Sequence, residues 1–144
     1  MEITIDTHSL VWYLDKSLNN KLSKEALSTI KKAEKDGIIY IPVIVLIEIL
    51  HLVEKGRISQ DFNKLVSTLE ESENYFITPL DVSLLSEVEK IKGLETHDRI
   101  IMATAKFNNT PLVSKDEVIR DHFKDVIGTL RNFIDSPIKK EEKN

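Results

Sequence analysis

The sequence has no cysteine, and this absence excludes two kinds of site. Without thiols the chain forms neither a disulfide framework nor a thiolate metal centre, which fits a reducing compartment such as the cytoplasm. A metal would therefore be held by carboxylates, imidazoles or backbone oxygens, which favours hard ions such as Mg²⁺ or Mn²⁺. Only four glycines and four prolines occur in 144 residues, and no Gly/Ser-rich linker is visible, so we expect a single domain.

Long apolar runs and a positive net charge are also missing. The longest apolar stretch, residues 38–53, is interrupted by Pro42, Glu48 and His51 and is shorter than the roughly 18 residues of a membrane span. Asp6 comes too early for the apolar core of a signal peptide. We therefore expect a soluble cytoplasmic protein with no membrane partner. The net charge is −4 and the pI about 5.6, so nucleic-acid binding would require a local basic patch.

Short apolar strands alternate with amphipathic helices along the chain. Strands are predicted at residues 3–5, 38–41, 75–78, 111–114 and, as a last short one, 126–127. Ser59 is predicted to cap the helix that carries Phe62. This alternation predicts an α/β fold, a three-layer α/β/α sandwich with a central parallel sheet. We assign residues 1–135 to this domain and residues 136–144 to a polar, flexible tail.

Two acids follow predicted strands. Asp6 ends the first strand, and Asp116 follows the strand that ends at Ser114. Ligands of doubly wound sheets bind beyond the carboxyl ends of the strands, so the two carboxylates converge if their strands are neighbours. Taken singly, each acid is equally compatible with a helix N-cap.

Two further acids lie on predicted helices. Glu48 is the only charged residue between Ile38 and Val53, on a helix that is apolar nearly all round. A carboxylate on such a buried helix needs a metal or a cationic partner, and a structural ion pair is the alternative. Asp98 lies in the first turn of another helix, where an acid also complements the helix dipole.

Capping explains these four acids one at a time but does not explain their joint pattern. Clustered carboxylates repel each other and their pKa values rise unless cations neutralise them. Divalent metal is the usual solution, and one or two Mg²⁺ ions can activate water for phosphodiester cleavage. A Gly-rich phosphate loop and a GxSxG motif are absent, which removes other catalytic hypotheses. His8 and His97 lie close to candidate acids, but the histidines lack zinc-ligand spacing.

Four segments in order resemble the PIN-domain family, in particular VapC-like toxins of toxin–antitoxin pairs. They are residues 6–12 (DTHSLVW), 43–50 (VIVLIEIL), 98–105 (DRIIMATA) and 112–116 (LVSKD), and the match covers about residues 1–127. The resemblance implies strand order 3-2-1-4-5, Mg²⁺ or Mn²⁺ as cofactor, and endoribonuclease activity. It carries Asp6, Glu48, Asp98 and Asp116 over as the catalytic and metal-binding acids. It also implies an RNA substrate, an antitoxin partner and a homodimer.

The chain departs from the family pattern at two places. Residues 95–97 are Glu-Thr-His where many relatives have Asp-Pro-Phe, and Ser114 replaces the commoner Thr. The first departure affects the shape of the loop before Asp98. Basic residues are needed near an acidic site that binds RNA, so Lys115, Arg99 and Lys24 are candidates for substrate binding. Ser114 is a fourth candidate.

Three alternatives belong to other classes. A PIN-like domain could bind RNA or protein without cleaving, although the presence of all four acids argues against it. A phosphotransferase with Asp6 as nucleophile would place a second acid where His8 stands. A receiver domain would need its acceptor near Asp81, which is better placed to cap a helix.

Two consequences follow for behaviour in solution. The middle helices carry more apolar residues than a small core requires, so part of this surface should be exposed and covered by a second copy or an antitoxin peptide. The residues concerned are Ile44, Ile47, Leu50, Val53, Ile58, Phe62, Leu65 and Leu69. Asp6→Asn is expected to abolish cleavage and to raise metal-free stability by relieving repulsion.

Overall fold

The fold is a five-stranded parallel sheet with helices packed around it. The computed structural model describes residues 1–127 and 133–138. The strand order is β3-β2-β1-β4-β5, which confirms the expected 3-2-1-4-5 arrangement. The strands are β1 (Glu2–Ile5), β2 (Ile38–Pro42), β3 (Tyr75–Thr78), β4 (Leu112–Ser114) and β5 (Phe133–Asp135).

Seven α-helices are described, and a 3-10 segment (Lys16–Lys21) follows the first of them. They are α1 (Thr7–Leu14), α2 (Lys24–Asp36), α3 (Val43–Glu54), α4 (Phe62–Glu71), α5 (Val82–Lys90), α6 (Thr96–Asn108) and α7 (Glu117–Ile127). Among the described residues no helix is long and apolar enough to cross a membrane.

The central strand β1 is buried on both faces, as a strand covered by two helical layers must be. Ile3, Thr4 and Ile5 are all fully buried. Thr4 is the polar exception, and its hydroxyl is satisfied by a 2.6 Å hydrogen bond with the Thr110 hydroxyl. Strand β1 pairs in parallel with β2 on one side and β4 on the other, so Asp6 emerges between two strand ends.

Short polar side chains set the starts of several helices. Asp6, Ser23 and Asp81 each accept a hydrogen bond from a backbone N–H in the first turn of α1, α2 and α5. The prediction that Ser59 caps the next helix is wrong. Asp61 does so instead, because its carboxylate lies one residue before α4 and accepts from Lys64 N at 3.1 Å.

One predicted strand near the end of the chain is wrong, and the predicted domain boundary stays a prediction. Residues 126–127 were predicted as a strand, but α7 runs through Ile127 and the last strand is Phe133–Asp135. Ser136, within the predicted tail, donates its N–H to the Ser114 carbonyl, and Leu22 pairs with Pro137. Residues 139–144 of that tail lie outside the described residues.

The middle helices bury more of their apolar surface than the sequence suggested. Ile44, Leu65 and Leu69 belong to the core, whereas Ile47 is 53% exposed. The other apolar residues of this predicted surface are half-buried. Covering of the surface by a partner stays a prediction.

Candidate active site

Asp6 and Asp116 lie at the same edge of the sheet because their strands are neighbours. Asp6 N donates to the Val113 carbonyl at 3.0 Å, which continues the β1–β4 ladder beyond Ile5. The Ser114 hydroxyl then joins the two acids. It donates to Asp6 Oδ2 at 2.6 Å and accepts from Asp116 N at 3.0 Å.

Asp6 is buried and held by three hydrogen bonds. Its Oδ1 accepts from Ser9 N at 3.0 Å, as the N-cap of α1. Its Oδ2 accepts from the Ser114 hydroxyl and from Lys115 N at 3.0 Å. The capping and site hypotheses for Asp6 are therefore compatible, since one carboxylate joins β1, α1 and the end of β4. Asp116 likewise caps α7, with Oδ1 accepting from Val118 N at 2.8 Å.

Glu48 reaches the same region from the middle of α3. It is half-buried, and its Oε1 accepts a 2.9 Å hydrogen bond from the Thr7 hydroxyl, next to Asp6. Among the described residues no Lys or Arg forms an ion pair with Glu48. The alternative of a structural ion pair therefore has no support here.

These carboxylates surround one cavity of about 220 Å³. The structure brings together all four acids singled out in the sequence, and Glu95 joins them as a fifth. Sequence reasoning missed Glu95, whose only signal was its position three residues before Asp98. The cavity is lined by Asp6, Thr7, His8, Glu48, Glu95, Asp98, Ile101, Lys115, Asp116 and Ile119.

The electrostatics match a crowded group of acids. Burial, together with the negative charges of Asp116, Glu95 and Glu48, raises the pKa of Asp98 to about 6, and His97 acts in the opposite direction. Burial also raises the pKa of Glu48, although the hydrogen bond from Thr7 opposes this. Asp98 thus holds its proton more tightly than a solvated aspartate, and a nearby cation would favour its charged form.

The four candidate substrate-binding residues are placed differently. Lys115 lines the cavity, whereas Ser114 is fully buried and positions Asp6. Arg99 is directed elsewhere, because its Nε and Nη2 donate to the Val88 carbonyl at 3.2 and 2.9 Å. Lys24 is exposed at the start of α2 and is not among the lining residues.

A second lysine and an aromatic ring adjoin the site and were not singled out in the sequence. The Nζ atoms of Lys21 and Lys115 each lie 6.0 Å from the centroid of the Trp12 ring, at the limit of a cation–π contact. His8 packs edge-on against the same ring at 6.1 Å. Lys21 lies in the 3-10 segment, so only the tertiary fold brings it here.

The donor set suits a hard divalent cation that keeps part of its hydration shell. Among the described residues no three His, Asp or Glu side chains converge as a preformed metal-holding group. Mg²⁺, however, is commonly bound through one or two carboxylates with several waters. Asp98 accepts no hydrogen bond from a described residue, and Asp116 and Glu48 each use one oxygen, so carboxylate oxygens remain for such an ion.

Comparison with solved structures supports the fold. The chain is similar to VapBC2 from Rickettsia felis bound to a DNA fragment from its promoter, with a TM-score of 0.61 and 18% identity over 96% of this chain and 98% of that one. It is also similar to FitAcB from Neisseria gonorrhoeae, with a TM-score of 0.59 and 18% identity over 87% and 93% of the two chains. No match was found among curated proteins.

The sequence itself assigns the family. Residues 3–124 match the PIN domain, which is most of the chain and includes all the acids of the cavity. PIN domains are generally nucleases. With the sheet order and the carboxylate-lined cavity described above, this match shows that the chain is a member of the PIN domain family.

Proposed function

We propose that the chain is a Mg²⁺- or Mn²⁺-dependent endoribonuclease that cleaves single-stranded RNA, and that it is the toxin of a toxin–antitoxin pair. The observation that carries the proposal is the cavity with five carboxylates, in which burial and neighbouring charges raise the pKa of Asp98 to about 6. Such crowding is unfavourable without a cation. A divalent ion at this position would activate water and stabilise the leaving oxygen of a phosphodiester.

The acids divide into two roles. Asp98, Asp116 and Glu48 have oxygens directed at the cavity that are not fully used, so they are the ligands we assign to the metal or to its waters. Asp6 already accepts three hydrogen bonds, two of them on Oδ2. It retains lone pairs for the ion while it fixes the relative position of β1, α1 and β4.

Lys115 and Lys21 are the groups that we assign to the RNA phosphates. No described residue forms an ion pair with either ammonium, and both lie beside the acidic cavity. A protein of net charge −4 needs such local cations to hold a polyanion. Binding should therefore weaken as the salt concentration rises.

Cleavage of a labelled single-stranded RNA tests the proposal. The wild type should cut in Mg²⁺ or Mn²⁺, stop in EDTA and recover when the metal is restored. Asp98→Asn should lower the rate at least about 100-fold, since it removes one charge that stabilises the ion. Asp36→Asn, an exposed acid at the end of α2, is the matched control and should retain activity. Equal cleavage in EDTA would show that the mechanism is wrong.

One observation favours a second candidate, a PIN domain that binds RNA or protein without cleaving. The described residues contain no preformed group of three metal ligands. A Mg²⁺ or Mn²⁺ titration followed by calorimetry separates the two, because the nuclease should bind metal through the cavity acids and lose binding in Asp98→Asn. RNA binding with no metal binding and no cleavage would favour the second candidate.

The partners we propose are an antitoxin and a second copy of the chain. The resemblance to VapC-like toxins supports the antitoxin, as does similarity to a solved VapBC2 structure. Co-purification with the product of an adjacent gene, together with inhibition of RNA cleavage by that product, tests this proposal.

A further inference from the structure

A second cavity lies next to the carboxylate cavity and shares one wall with it. Its volume is about 310 Å³, and Thr7, His8 and Glu48 line both cavities. Beyond this shared wall the lining changes in character. It is completed by two imidazoles and two aliphatic side chains, those of His51, His97, Ile47 and Leu52.

The chemistry of this lining argues against two simple occupants. Three histidines line the cavity, but among the described residues no three His, Asp or Glu side chains converge to hold a metal. None of the described lining residues is Lys or Arg, so the cavity offers no permanently charged cation for a phosphate. The occupant should instead be flat and uncharged, with polar edges.

We propose that this second cavity receives one nucleobase of the RNA, that of a nucleotide next to the cleaved phosphodiester. The inference rests on the proposed nuclease function and adds a specificity site to it. Single-stranded RNA is recognised through unstacked bases that pack on aromatic rings, including His, and form hydrogen bonds along their edges. Imidazole rings and the Ile47 side chain supply packing surface, while the ring nitrogens supply hydrogen-bonding groups.

Size and position agree with this occupant. A volume of about 310 Å³ is at the lower end of the roughly 300–1,000 Å³ typical of small-ligand sites, which suits a single base better than a larger group. His8 lines both cavities, and the lysines lie beside the carboxylates. A strand with its phosphate at Lys115 could therefore place an adjacent base among the histidines.

The exposure of the Ile47 side chain also supports the inference. It is 53% exposed although its helix neighbours Leu46 and Val45 are buried. The exposed apolar side chain lies on the rim of a cavity that adjoins the candidate catalytic acids. Contact with a base would remove this apolar surface from water.

Nuclear magnetic resonance of the histidine rings tests base binding without relying on activity. The full-length wild-type chain is titrated, in EDTA, with each of the four nucleoside 5′-monophosphates and separately with inorganic phosphate. The ring signals of His51 and His97 should shift with at least one nucleotide and not with phosphate. His122 is the internal control, because it contacts the Val118 carbonyl on α7 and does not line the cavity. Absence of a nucleotide-specific shift at His51 and His97 would overturn the proposal.

Sequencing of cleavage ends gives the second test. With a randomised single-stranded RNA, the wild type should prefer one base at a fixed position near the cut. His51→Ala and Ile47→Ser should reduce that preference about tenfold, while His122→Ala should keep it. Because His51 and Ile47 are exposed, these substitutions should leave the fold intact, which circular dichroism checks.

The outcomes separate this inference from the nuclease proposal. Cleavage with an unchanged base preference in His51→Ala and Ile47→Ser would overturn the base site and leave the nuclease intact. No cleavage by the wild type would contradict the nuclease, and the ring titration would then still decide whether the cavity binds a base. If Ile47→Ser dissociates a dimer and no ring signal responds to nucleotides, the cavity belongs to a protein interface and the proposal is wrong.

Discussion

Asp6 shows how one side chain can serve both the fold and the site. Sequence reasoning offered an N-cap and a catalytic acid as alternatives, and the structure combines the cap with a place in the cavity. Its three hydrogen bonds come from Ser9 N, the Ser114 hydroxyl and Lys115 N. The sequence-based expectation that Asp6→Asn raises stability therefore needs revision. The substitution would relieve repulsion between carboxylates, but it would also lose at least one of these hydrogen bonds.

Asp6→Asn and Asp98→Asn should have opposite effects on metal-free stability. An Asn has one acceptor oxygen, so at position 6 it would leave at least one donor of Ser114, Lys115 or Ser9 unpaired, at a cost of about 1–3 kcal/mol. Asp98 accepts no hydrogen bond from a described residue, and its replacement should leave the free energy of unfolding unchanged or raised. Urea unfolding in EDTA measures the free energy of unfolding of each variant. Greater stability of Asp6→Asn than of the wild type would contradict this argument.

The raised pKa values of Asp98 and Glu48 should make the metal-free protein lose stability as pH rises from about 4 to about 7, whereas the lowered pKa of the half-buried His8 imidazole acts in the opposite direction. The pKa of Asp98 is raised to about 6 from 3.8, and that of Glu48 is also raised. The folded state holds these two protons more tightly than the unfolded state does. The stabilisation from the two carboxyl groups is therefore complete below their unfolded-state pKa values, and it is lost as the pH rises through their folded-state pKa values. For Asp98 the loss should be about 1 kcal/mol, allowing for solvent screening of a half-exposed carboxylate.

Thermal unfolding in EDTA across this pH range measures the effect. Asp98→Asn should have a shallower dependence on pH than the wild type, because it removes the carboxyl whose pKa is raised to about 6. Mg²⁺ should raise the wild-type midpoint more at about pH 7.5 than at about pH 5, since the ion competes with the bound protons. Identical pH profiles of the two proteins would argue against the assigned role of Asp98.

At the scale of elements, hydrophobic periodicity predicted most of the fold and failed where two patterns overlapped. Strand β2 and helix α3 were recognisable from an apolar segment divided by Pro42. Val126 and Ile127 are both β-branched, which favours the predicted strand. The same pair also continues the helical spacing of Ile119 and Phe123, which are buried in α7. Tertiary packing of that helix therefore decides the conformation, and local preference does not.

The junction between α2 and β2 requires a glycine because of a close backbone approach. A Cβ at Gly37 would lie 1.6 Å from the Met1 carbonyl oxygen, which accepts a hydrogen bond from Ile38 N. Gly37→Ala must therefore displace the start of β1 from β2, and we expect a loss of about 1–3 kcal/mol. Gly56→Asn is the control, because nothing lies within 4 Å of its Cβ position and Asn tolerates the positive φ of 70°.

Urea denaturation of the two variants checks this expectation. The midpoint of Gly37→Ala should fall clearly below that of Gly56→Asn, with the slope of the transition unchanged. Equal midpoints would show that Met1 moves aside at little cost in free energy and that a glycine is not required at position 37.

For the whole molecule, topology explains which parts of the site could be predicted. Acids at the ends of adjacent parallel strands must converge, and an isolated Glu48 on an apolar helix must face something polar. Lys21 and Trp12 could not be found in this way, because a 3-10 segment places the lysine. Arg99 was a candidate as a basic residue, and it is adjacent to Asp98 in the sequence. A helical residue one position away faces a different direction, and its guanidinium binds the Val88 carbonyl instead.

The largest exposed apolar side chains lie mainly away from the middle helices. Val82 and Leu85 on α5 are 82% and 52% exposed, and Phe107 at the end of α6 is 57% exposed. The Lys106–Glu87 ion pair, at 3.2 Å, holds the end of α6 beside α5. Val82, Leu85 and Phe107 are thus exposed apolar side chains on two adjacent helices, here called the α5–α6 surface, and exposed apolar surface is the kind that a protein partner covers.

Sedimentation should show that a second copy covers this α5–α6 surface. The wild type should be a dimer at micromolar concentration, and Leu85→Glu should be a folded monomer, because a charge buried in a symmetric interface is opposed by its own copy. Val118→Glu carries the same change on α7, at a residue with the similar exposure of 53%, and should remain dimeric. A monomeric wild type would show that there is no such interface. Dissociation by Val118→Glu alone would show that the interface lies on α7 instead. Dissociation by Leu85→Glu with cleavage retained would further show that each copy carries a complete carboxylate cavity, as the single chain suggests by supplying all five acids itself.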